Sequence, residues 1–458
     1  MMLQPVFERF VNDSPATVMT RVTLEHALQS AQVDRLFTQT AERQYTRELL
    51  FSTVVDLMAL VVCRIQPSLR AAYQDAREQI PVTVRALYDK VNHVEPAISA
   101  ALVTHVGSRL APLIQRMDGG RVPLLAGYRV RILDGNHLAG TEHRLKELRP
   151  LAAGALPGQS LAVLDPELQL ITHVVCCEDG HAQERAYLNE VVPLIERRDV
   201  WIADRNFCIR EFLLNIARRL AYFVIRQHGA TFAWERVGKR KPCGRVETGK
   251  VYEQRLRLRD ESGGVLEFRR ITLVLDKPTR DGDTEIHVLS NLPTRVSAQR
   301  IADLYRKRWT IEIAYQELTT DLKCEPNTLG YPKAALFAYC MALVAYNVLA
   351  VVKAALRAVH GEDTVEREVS NYYLTKEVAG TYRGMMIAIP AEQWSPLAKS
   401  STIQLGACLK RLAKKIDLEK LKKHPRGPKK PAPKRRHNKK QPHVSTARLL
   451  ATRNNGSK

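Results

Sequence analysis

The spacing of apolar residues along this chain of 458 residues changes near Tyr128. Before that point apolar positions recur at helical intervals, most clearly over residues 42–63, and predict a small helical domain. From Tyr128 to Asp134 polar and apolar residues alternate and then reach the pair Ile132-Leu133, which is typical of a strand. The pattern therefore predicts a helical N-terminal region followed by a core that contains strands.

The segment after Tyr128 mixes the two periods. Short apolar runs predict strands at 160–165, 170–177, 200–204 and 222–226, with helices over 181–197 and 210–220. Residues 230–291 show strand after strand with turns, as an all-β block inserted before the next helix. Ser297 is placed to cap a long helix that reaches about residue 323, and a very apolar helix follows over 334–359. This order predicts an α/β core.

Charge adds one feature, a basic C-terminus. The chain has a net charge of +22, and residues 407–458 hold 18 Lys or Arg but only two acids. A short run of this kind is usually a solvated, disordered tail. Because this run is long and its prolines keep it extended, a polyanion such as nucleic acid is the better-fitting partner. The tail residues predicted to contact DNA include Lys429, Lys430, Lys434, Arg435, Arg436, Lys439 and Lys440.

The cysteines, the N-terminal sequence and the lengths of the apolar runs indicate the cellular compartment. The eight cysteines are scattered without a Cys-x-x-Cys pair, which favours a reducing cytosol and argues against a structural zinc site. The N-terminus lacks a basic region followed by an apolar one, so we expect no secretory signal. No apolar run is judged to approach the roughly 18 to 20 residues that span a bilayer, so we expect no membrane segment.

Three distant segments each place a carboxylate where a two-metal site needs one. Asp134 and Asp204 each follow an apolar strand, and Glu312 lies in the predicted helix after the β block. Carboxylate oxygens bind hard divalent cations, of which one activates an attacking oxygen and the other stabilises the leaving one. Each signal alone has an ordinary explanation, because Asp-Gly often forms a turn and Asp often caps a helix. Their conjunction favours nucleotidyl transfer.

The helix around Glu312 carries further polar groups on one side. At about 100° per residue, Tyr305, Arg308, Glu312, Thr319 and Lys323 fall in a stripe roughly 60° wide. Viewed alone, this stripe is more often a solvated face with an Arg308–Glu312 pair one turn apart. Trp309 lies near it and is placed either to stack on a base or to pack against protein.

The chain resembles the DDE transposases of the insertion-sequence-4 type, whose catalytic core is ribonuclease-H-like. The family hallmark is Tyr, two residues, Arg, three residues, Glu, six residues, Lys, and Tyr305, Arg308 and Glu312 match it. The signature Lys falls at Thr319. Lys323, one turn further on, is a candidate substitute; a subgroup or a decayed copy are the alternatives.

Two more motifs carry the same resemblance, Asp134-Gly135 and Asp204-Arg205, together with the β-rich insertion. The resemblance implies that Asp134, Asp204 and Glu312 bind two Mg²⁺ ions, with Mn²⁺ able to substitute. It implies cleavage of transposon ends and transfer of the 3′-hydroxyl into target DNA. Double-stranded DNA is then the partner of a homodimer or larger assembly, located in the cytoplasm on the nucleoid. The residues expected to contact this DNA are Tyr305, Arg308, Trp309, Lys323, Arg205 and the basic tail.

The predicted fold class is α/β, with a ribonuclease-H-like mixed sheet that carries a β-rich insertion, preceded by a helical domain and followed by helices and a basic tail. Two rival functions stay open: a ribonuclease-H-like DNA nuclease that does not join strands, and a catalytically inactive DNA-binding protein derived from a transposase. The predicted regions are a helical N-terminal domain that contacts DNA (1–125), the catalytic core (126–229 and 292–360), the β-rich insertion (230–291), a C-terminal helical region (361–406) and the Pro-rich tail (407–458).

Overall fold

The computed structural model describes residues 5–44, 46, 48–139, 141, 145–229, 233–259, 263–279, 282–424 and 443–456. The N-terminal part is helical. Its helices are α1 (Glu8–Asp13), α2 (Pro15–Ala27), α3 (Ser30–Thr40), α4 (Phe51–Val62), α5 (Leu69–Asp75), α6 (Val84–His93) and α7 (Pro96–Arg116). The helix predicted over 42–63 starts only at Phe51, because the backbone N–H groups of residues 42–44 bond instead to the Glu95 carboxylate.

The central part alternates strands and short helices. Its elements are β1 (Arg129–Leu138), β2 (Gly154–Leu156), β3 (Gly158–Asp165), β4 (Leu170–Cys177), α8 (Leu188–Val191), β5 (Asp199–Ala203), α9 (Arg210–Arg218), β6 (Tyr222–Arg226), β7 (Glu235–Val246), β8 (Gly249–Arg259), β9 (Val265–Leu275) and β10 (Glu285–Ser290). The helix predicted over 181–197 is wrong. A 3₁₀ turn (Glu184–Tyr187) and the short α8 stand there, since Pro193 has no N–H to continue a helix.

The C-terminal part is again mostly helical. Its elements are α10 (Ala298–Arg306), α11 (Trp309–Thr320), α12 (Pro332–His360), α13 (Glu362–Glu368), α14 (Asn371–Ala388), α15 (Ala391–Ala398), α16 (Thr402–Ala413), β11 (His443–Ser445) and α17 (Thr446–Gly456). The single helix predicted from Ser297 to about 323 is split. Lys307 and Arg308 make tight bonds to the carbonyls three residues back, and α11 ends at Thr320.

Among the described residues, nine strands form one sheet in the order β4-β3-β1-β5-β6-β10-β9-β8-β7. Strands β4, β3 and β1 are antiparallel, whereas β1, β5 and β6 run parallel. This half of the sheet is the ribonuclease-H-like arrangement, and the predicted α/β fold class is confirmed. The β-rich block continues the same sheet, because β10 pairs antiparallel with β6 at one side and with β9 at the other.

Each face of the sheet has its own apolar core. Along β1 and β5 the side chains alternate, so that Ile132 and Ile202 join the core under α7 and α12, while Leu133 and Ala203 join the core under α9. This alternation determines toward which face of the sheet the side chain of the next residue points.

Helices α7 and α12 are both long and apolar enough to cross a membrane by length and composition, which corrects the expectation that no apolar run approaches that length. The apolar window of α12 is wholly buried inside the fold and that of α7 is half buried. Burial on all sides is the pattern of a core helix, and α12 packs against α7, α4 and α2 in this way.

The predicted basic tail contains folded segments at both ends. Leu405, Leu409 and Leu412 of α16 are buried. After residue 442, β11 pairs parallel with β2, and both Ser445 and Arg448 bond to Asp179. The tail residues named above as DNA contacts, from Lys429 to Lys440, lie outside the described residues.

Candidate active site

Two aspartates lie side by side where the parallel pairing of β1 with β5 ends. The pairing of β1 with β5 ends at Leu133 and Ala203, and Asp134 and Asp204 are the next residues on each strand. Because side chains alternate, both point toward the face that α11 and α12 cover. The strand pattern thus brings together two residues that are 70 positions apart in the sequence.

Helix α11 carries the third carboxylate to the same place. Ile311, Ala314 and Leu318 are buried against the body, which leaves Glu312 on the neighbouring side of the helix. The Tyr315 hydroxyl donates a hydrogen bond of 2.9 Å to the backbone carbonyl of Asp134 and so ties α11 to β1.

Arg308 links two of the predicted ligands. Its guanidinium lies 3.0 Å from Asp134 Oδ2 and 2.5 Å from Glu312 Oε1. The side chains of Arg308 and Asp134 are only 12% and 15% exposed, so this ion pair is largely shielded from water. Asp204 makes a different contact, in which its Oδ1 accepts a bond of 2.7 Å from the backbone N–H of Asn206.

The donor set fits a hard divalent cation. Burial raises the pKa of Asp134 to about 7, despite Arg308, and the nearby carboxylates of Asp204 and Glu312 raise it further. Converging carboxylates that repel one another are stabilised by a multivalent cation, and Arg308 supplies one positive charge among them. Over the described ranges, no three His, Cys, Asp or Glu side chains are already closed to metal-binding distances.

The predicted DNA-contacting residues are distributed unevenly around the carboxylates. Tyr305 is buried beside Arg308, and this burial raises its pKa. Trp309 is 62% exposed, with the Arg308 guanidinium 5.9 Å from its ring centroid. Arg205 is exposed next to Asp204. Their roles toward DNA stay predictions.

Lys323 does not share a helix face with Glu312, which corrects the projection made from sequence. It follows the end of α11, its Nζ donates to the Pro67 carbonyl at 2.6 Å, and its backbone N–H bonds to Val62. Arg64 approaches the end of α11 instead, with bonds to the carbonyls of Thr320 and Leu322. Any contact of Lys323 with DNA would therefore come from a loop.

Sequence reasoning missed the residues that hold this site in place. Tyr315 lies one turn after Glu312, so the helical spacing offered a signal for it. For Asn206 the sequence offered no such signal, because this residue contacts Asp204 through its backbone N–H.

Metal-free stability should depend on pH through Asp134. The unfolded chain loses this proton above pH about 4, whereas the folded protein keeps it up to pH about 7. The folded state binds more protons in this window, so its stability falls as pH rises from 4 to 7. Urea unfolding in chelator at pH 5 and 7.5 should show a smaller loss for Asp134→Asn than for wild type. Asp118→Asn, at an exposed carboxylate, is the control; equal losses in all three proteins would contradict the assignment.

Comparison with known families bears on the same segment. Residues 125–348 match the family model of the transposase DDE domain. The match spans β1, β5 and α11, and so includes all three carboxylates. It supports a DDE transposase, a class that generally uses divalent metal ions.

No curated protein matches the sequence significantly. Among solved structures, the chain is similar to a piggyBac transposase in a synaptic complex with hairpin DNA, at 9% identity and a TM-score of 0.38 over 84% of each chain. The ribonuclease-H-like arrangement is evident from the strand order of the sheet itself.

Proposed function

We propose that this protein is a transposase of the insertion-sequence-4 type, which cleaves transposon-end DNA and transfers the 3′-hydroxyl into target DNA. One observation carries the proposal: Asp134 and Asp204 directly follow the parallel pairing of β1 with β5, on the face where α11 presents Glu312, and Arg308 joins Asp134 to Glu312. The match to the transposase DDE domain over the same residues supports it.

The chain's own residues would prepare the carboxylates for two Mg²⁺ ions, or Mn²⁺ in their place. When bound, these ions supply activation of the attacking oxygen and stabilisation of the leaving oxygen. Asp134, Asp204 and Glu312 would hold them. Tyr315 fixes the end of β1, and the backbone N–H of Asn206 orients Asp204.

Arg308 has two tasks in this proposal. Its guanidinium bridges the carboxylates of Asp134 and Glu312 and offsets their mutual repulsion in the absence of substrate, and its planar fork suits a DNA phosphate. Tyr305, Trp309, Arg205 and Lys323 are the other proposed contacts to double-stranded DNA. A homodimer or larger assembly would pair the two ends, in the cytoplasm on the nucleoid.

The deciding experiment is a strand-joining assay with the full chain. The donor is labelled DNA of the chain's own gene with its native flanks, and the target is a supercoiled plasmid. With Mg²⁺ or Mn²⁺ we expect labelled joined product, and with Ca²⁺ or chelator none, since Ca²⁺ takes a looser geometry than this chemistry favours. Cleaved donor without joining would identify the nuclease, and binding without cleavage the inactive DNA-binding protein.

Neutralising the basic segment should flatten the salt dependence of DNA binding. Since α16 lies in the core, deletion from residue 407 would damage the fold, so the seven bases from Lys429 to Lys440 are replaced with Gln. The slope of log affinity against log salt should fall by up to about 6 if all seven meet phosphates. Sequence discrimination should stay the same, because phosphate contacts carry little sequence information. The exposed pair Arg367 and Lys376, replaced likewise, is the control. An unchanged slope in the seven-residue variant would show that the segment does not touch DNA.

A further inference from the structure

The positive charge outside the C-terminal tail is concentrated on the outermost hairpin of the sheet. This hairpin, formed by β7 and β8 over residues 235–259, holds nine Lys or Arg and three Glu, a net charge of +6. Residues 1–406 as a whole also have a net charge of +6. The rest of those residues is therefore neutral on balance, and the hairpin is a local source of positive potential.

Five cations of this hairpin are exposed and have no ion-pair partner among the residues that the structure describes. They are Arg236, Lys239, Lys241, Lys250 and Arg255. The other four each pair with a carboxylate. The five unpaired cations can bind an external anion without breaking a contact of the fold.

These cations lie on both faces of the sheet edge. Side chains alternate along β8, and residues paired across neighbouring strands share a face. By this register Arg236 and Lys250 lie on one face, whereas Lys241 and Arg255 lie on the other. A groove of duplex DNA has a row of phosphates along each side, so an edge with cations on both faces is suited to it.

The turn of the hairpin lies at the active-site end of the sheet. Strand β6 ends at Arg226, which pairs with Val288, and Lys250 is level with Glu285, three residues beyond Val288 on β10. Asp204 follows β5, the neighbour of β6, at the same end. The hairpin and the carboxylates can therefore face the same DNA molecule.

Helix α10 holds the hairpin in this position. Glu247 in the turn pairs with Arg306 at 2.8 Å, and the Cys243 carbonyl accepts a hydrogen bond from the Gln299 side chain. Arg306 lies two residues before Arg308 of the candidate active site. The hairpin is thus fixed both by sheet pairing and by the helix that leads into the site.

The sheet also gives the spacing between the two sites. Strand β7 is the fifth strand from β5, so at about 4.8 Å per strand the hairpin lies roughly 20 to 25 Å from Asp204. At about 3.4 Å per base pair, this distance corresponds to roughly six or seven base pairs of a duplex that runs along this end of the sheet.

Protection of an exposed edge strand does not account for this charge. Lysines and bulges do guard edge strands against pairing with other chains, and β7 has both. However, Lys250 and Arg255 lie on β8, which is paired on both sides. Protection also works with charges of either sign, whereas bases outnumber acids by nine to three here.

We propose that the hairpin of β7 and β8 binds the phosphates of transposon-end DNA roughly six or seven base pairs from the cleaved bond. This inference rests on the proposed function, because it assumes that such DNA lies at Asp134 and Asp204. The transposon end stays at the active site through both cleavage and joining, so a surface fixed to the catalytic sheet suits this DNA.

The first test is the salt dependence with which the full chain binds the donor DNA. The hairpin variant replaces the five unpaired cations with Gln. The control variant likewise replaces five exposed cations elsewhere, Arg116, Arg197, Arg219, Lys376 and Lys399. The slope of log affinity against log salt should fall by up to about 4 in the hairpin variant if all five cations meet phosphates. The control should keep the wild-type slope, although it loses the same net charge.

A second variant separates DNA binding from edge protection. Lys239→Glu combined with Lys241→Glu keeps a charged edge, so it should stay as soluble as wild type. Its slope should nevertheless fall by about 2, because two cations no longer meet phosphates.

The second test is a hydroxyl-radical footprint on the same labelled donor, with the position of the nick mapped on it. Wild type should protect the transposon end roughly six or seven base pairs from the nick. The hairpin variant should lose this protection and keep the protection at the nick.

The outcomes separate the two proposals. Cleavage by the hairpin variant with the wild-type slope and footprint would overturn the role of the hairpin and leave the proposed function standing. A lower slope with an unchanged footprint on the transposon end would overturn the assignment to that DNA, because the hairpin would then bind other DNA. Failure of wild type to cleave and join would instead contradict the proposed function, and the slope would still show whether the hairpin binds DNA.

Discussion

Asp134→Asn and Asp204→Asn should each reduce DNA cleavage by at least about 100-fold, while DNA binding stays close to wild type. Each substitution removes a negative charge that the cations need, and loss of a few kcal/mol of transition-state stabilisation corresponds to rates lower by this factor or more. Binding should persist because these side chains point to the carboxylate cluster and contribute no positive charge to phosphate contacts. The measurement is nicking of labelled duplex in Mg²⁺, with binding followed on the same DNA.

Glu312→Gln belongs to the same series, with Asp303→Asn as its control. Asp303 is a half-exposed carboxylate on α10 whose contact is with Arg306. We expect Glu312→Gln to lose DNA cleavage to the same extent as the two aspartate variants. Asp303→Asn should cleave like wild type. Near-normal cleavage by any of the three site variants would remove that residue from the ligand set.

Arg308→Ala should have the second largest effect, and it should be visible without DNA. In chelator we expect a loss of about 2 kcal/mol in unfolding free energy, because Asp134 loses its buried partner. This loss is at the low end of what removal of a buried ion-pair partner costs, because the other partner, Glu312, has a side chain that is 41% exposed. Addition of Mg²⁺ should stabilise Arg308→Ala more than wild type, because the ion then supplies the missing positive charge.

Arg306→Ala is the matched comparison for this prediction. Arg306 lies two residues earlier and is 41% exposed, and it pairs with Asp303 and Glu247 at the surface. Its removal should cost less than about 1 kcal/mol with no dependence on Mg²⁺. Equal destabilisation of both variants in chelator, with the same response to Mg²⁺, would mean that Arg308 does not serve the carboxylate cluster.

Some parts of this site were accessible from sequence because a local period encodes them. The alternation before Asp134 and the apolar run before Asp204 predict strands, and both strands form. Strand β5 ends at Ala203, directly before Asp204, whereas β1 continues past Asp134 to Leu138. The parallel pairing that sets the two residues side by side was not in the pattern. It came through the resemblance to a family with a ribonuclease-H-like core.

Other parts depend on long-range contacts that no periodicity records. The break at Lys307 and Arg308 leaves Tyr305 on α10 and Glu312 on α11, so a single helical projection placed them together for the wrong geometric reason. For Lys323 the helical projection was wrong, because α11 ends at Thr320. Arg308 was predicted as a DNA contact, whereas its partners in the structure are Asp134 and Glu312. The sequence spacing indicated the pair of Arg308 with Glu312 but not the contact of Arg308 with Asp134.

The β-rich block shows the same limit. Its strands were evident from alternation and turns. That they extend the same sheet as β1, β5 and β6 depends on the pairing of Leu289 with Ile225. Glu184 is the clearest case. Its segment looked like an amphipathic helix, but it folds as a 3₁₀ turn that places the Glu184 carboxylate against Gly135.

The most direct test of the central claim is anomalous diffraction from crystals of the full chain bound to DNA and Mn²⁺. The account predicts an anomalous peak in contact with carboxylate oxygens of both Asp134 and Asp204, with Glu312 at the same cluster. Well-ordered carboxylates without a peak at saturating Mn²⁺, or a peak bound only by other residues, would contradict the assignment of this site as a divalent-cation centre for DNA strand transfer.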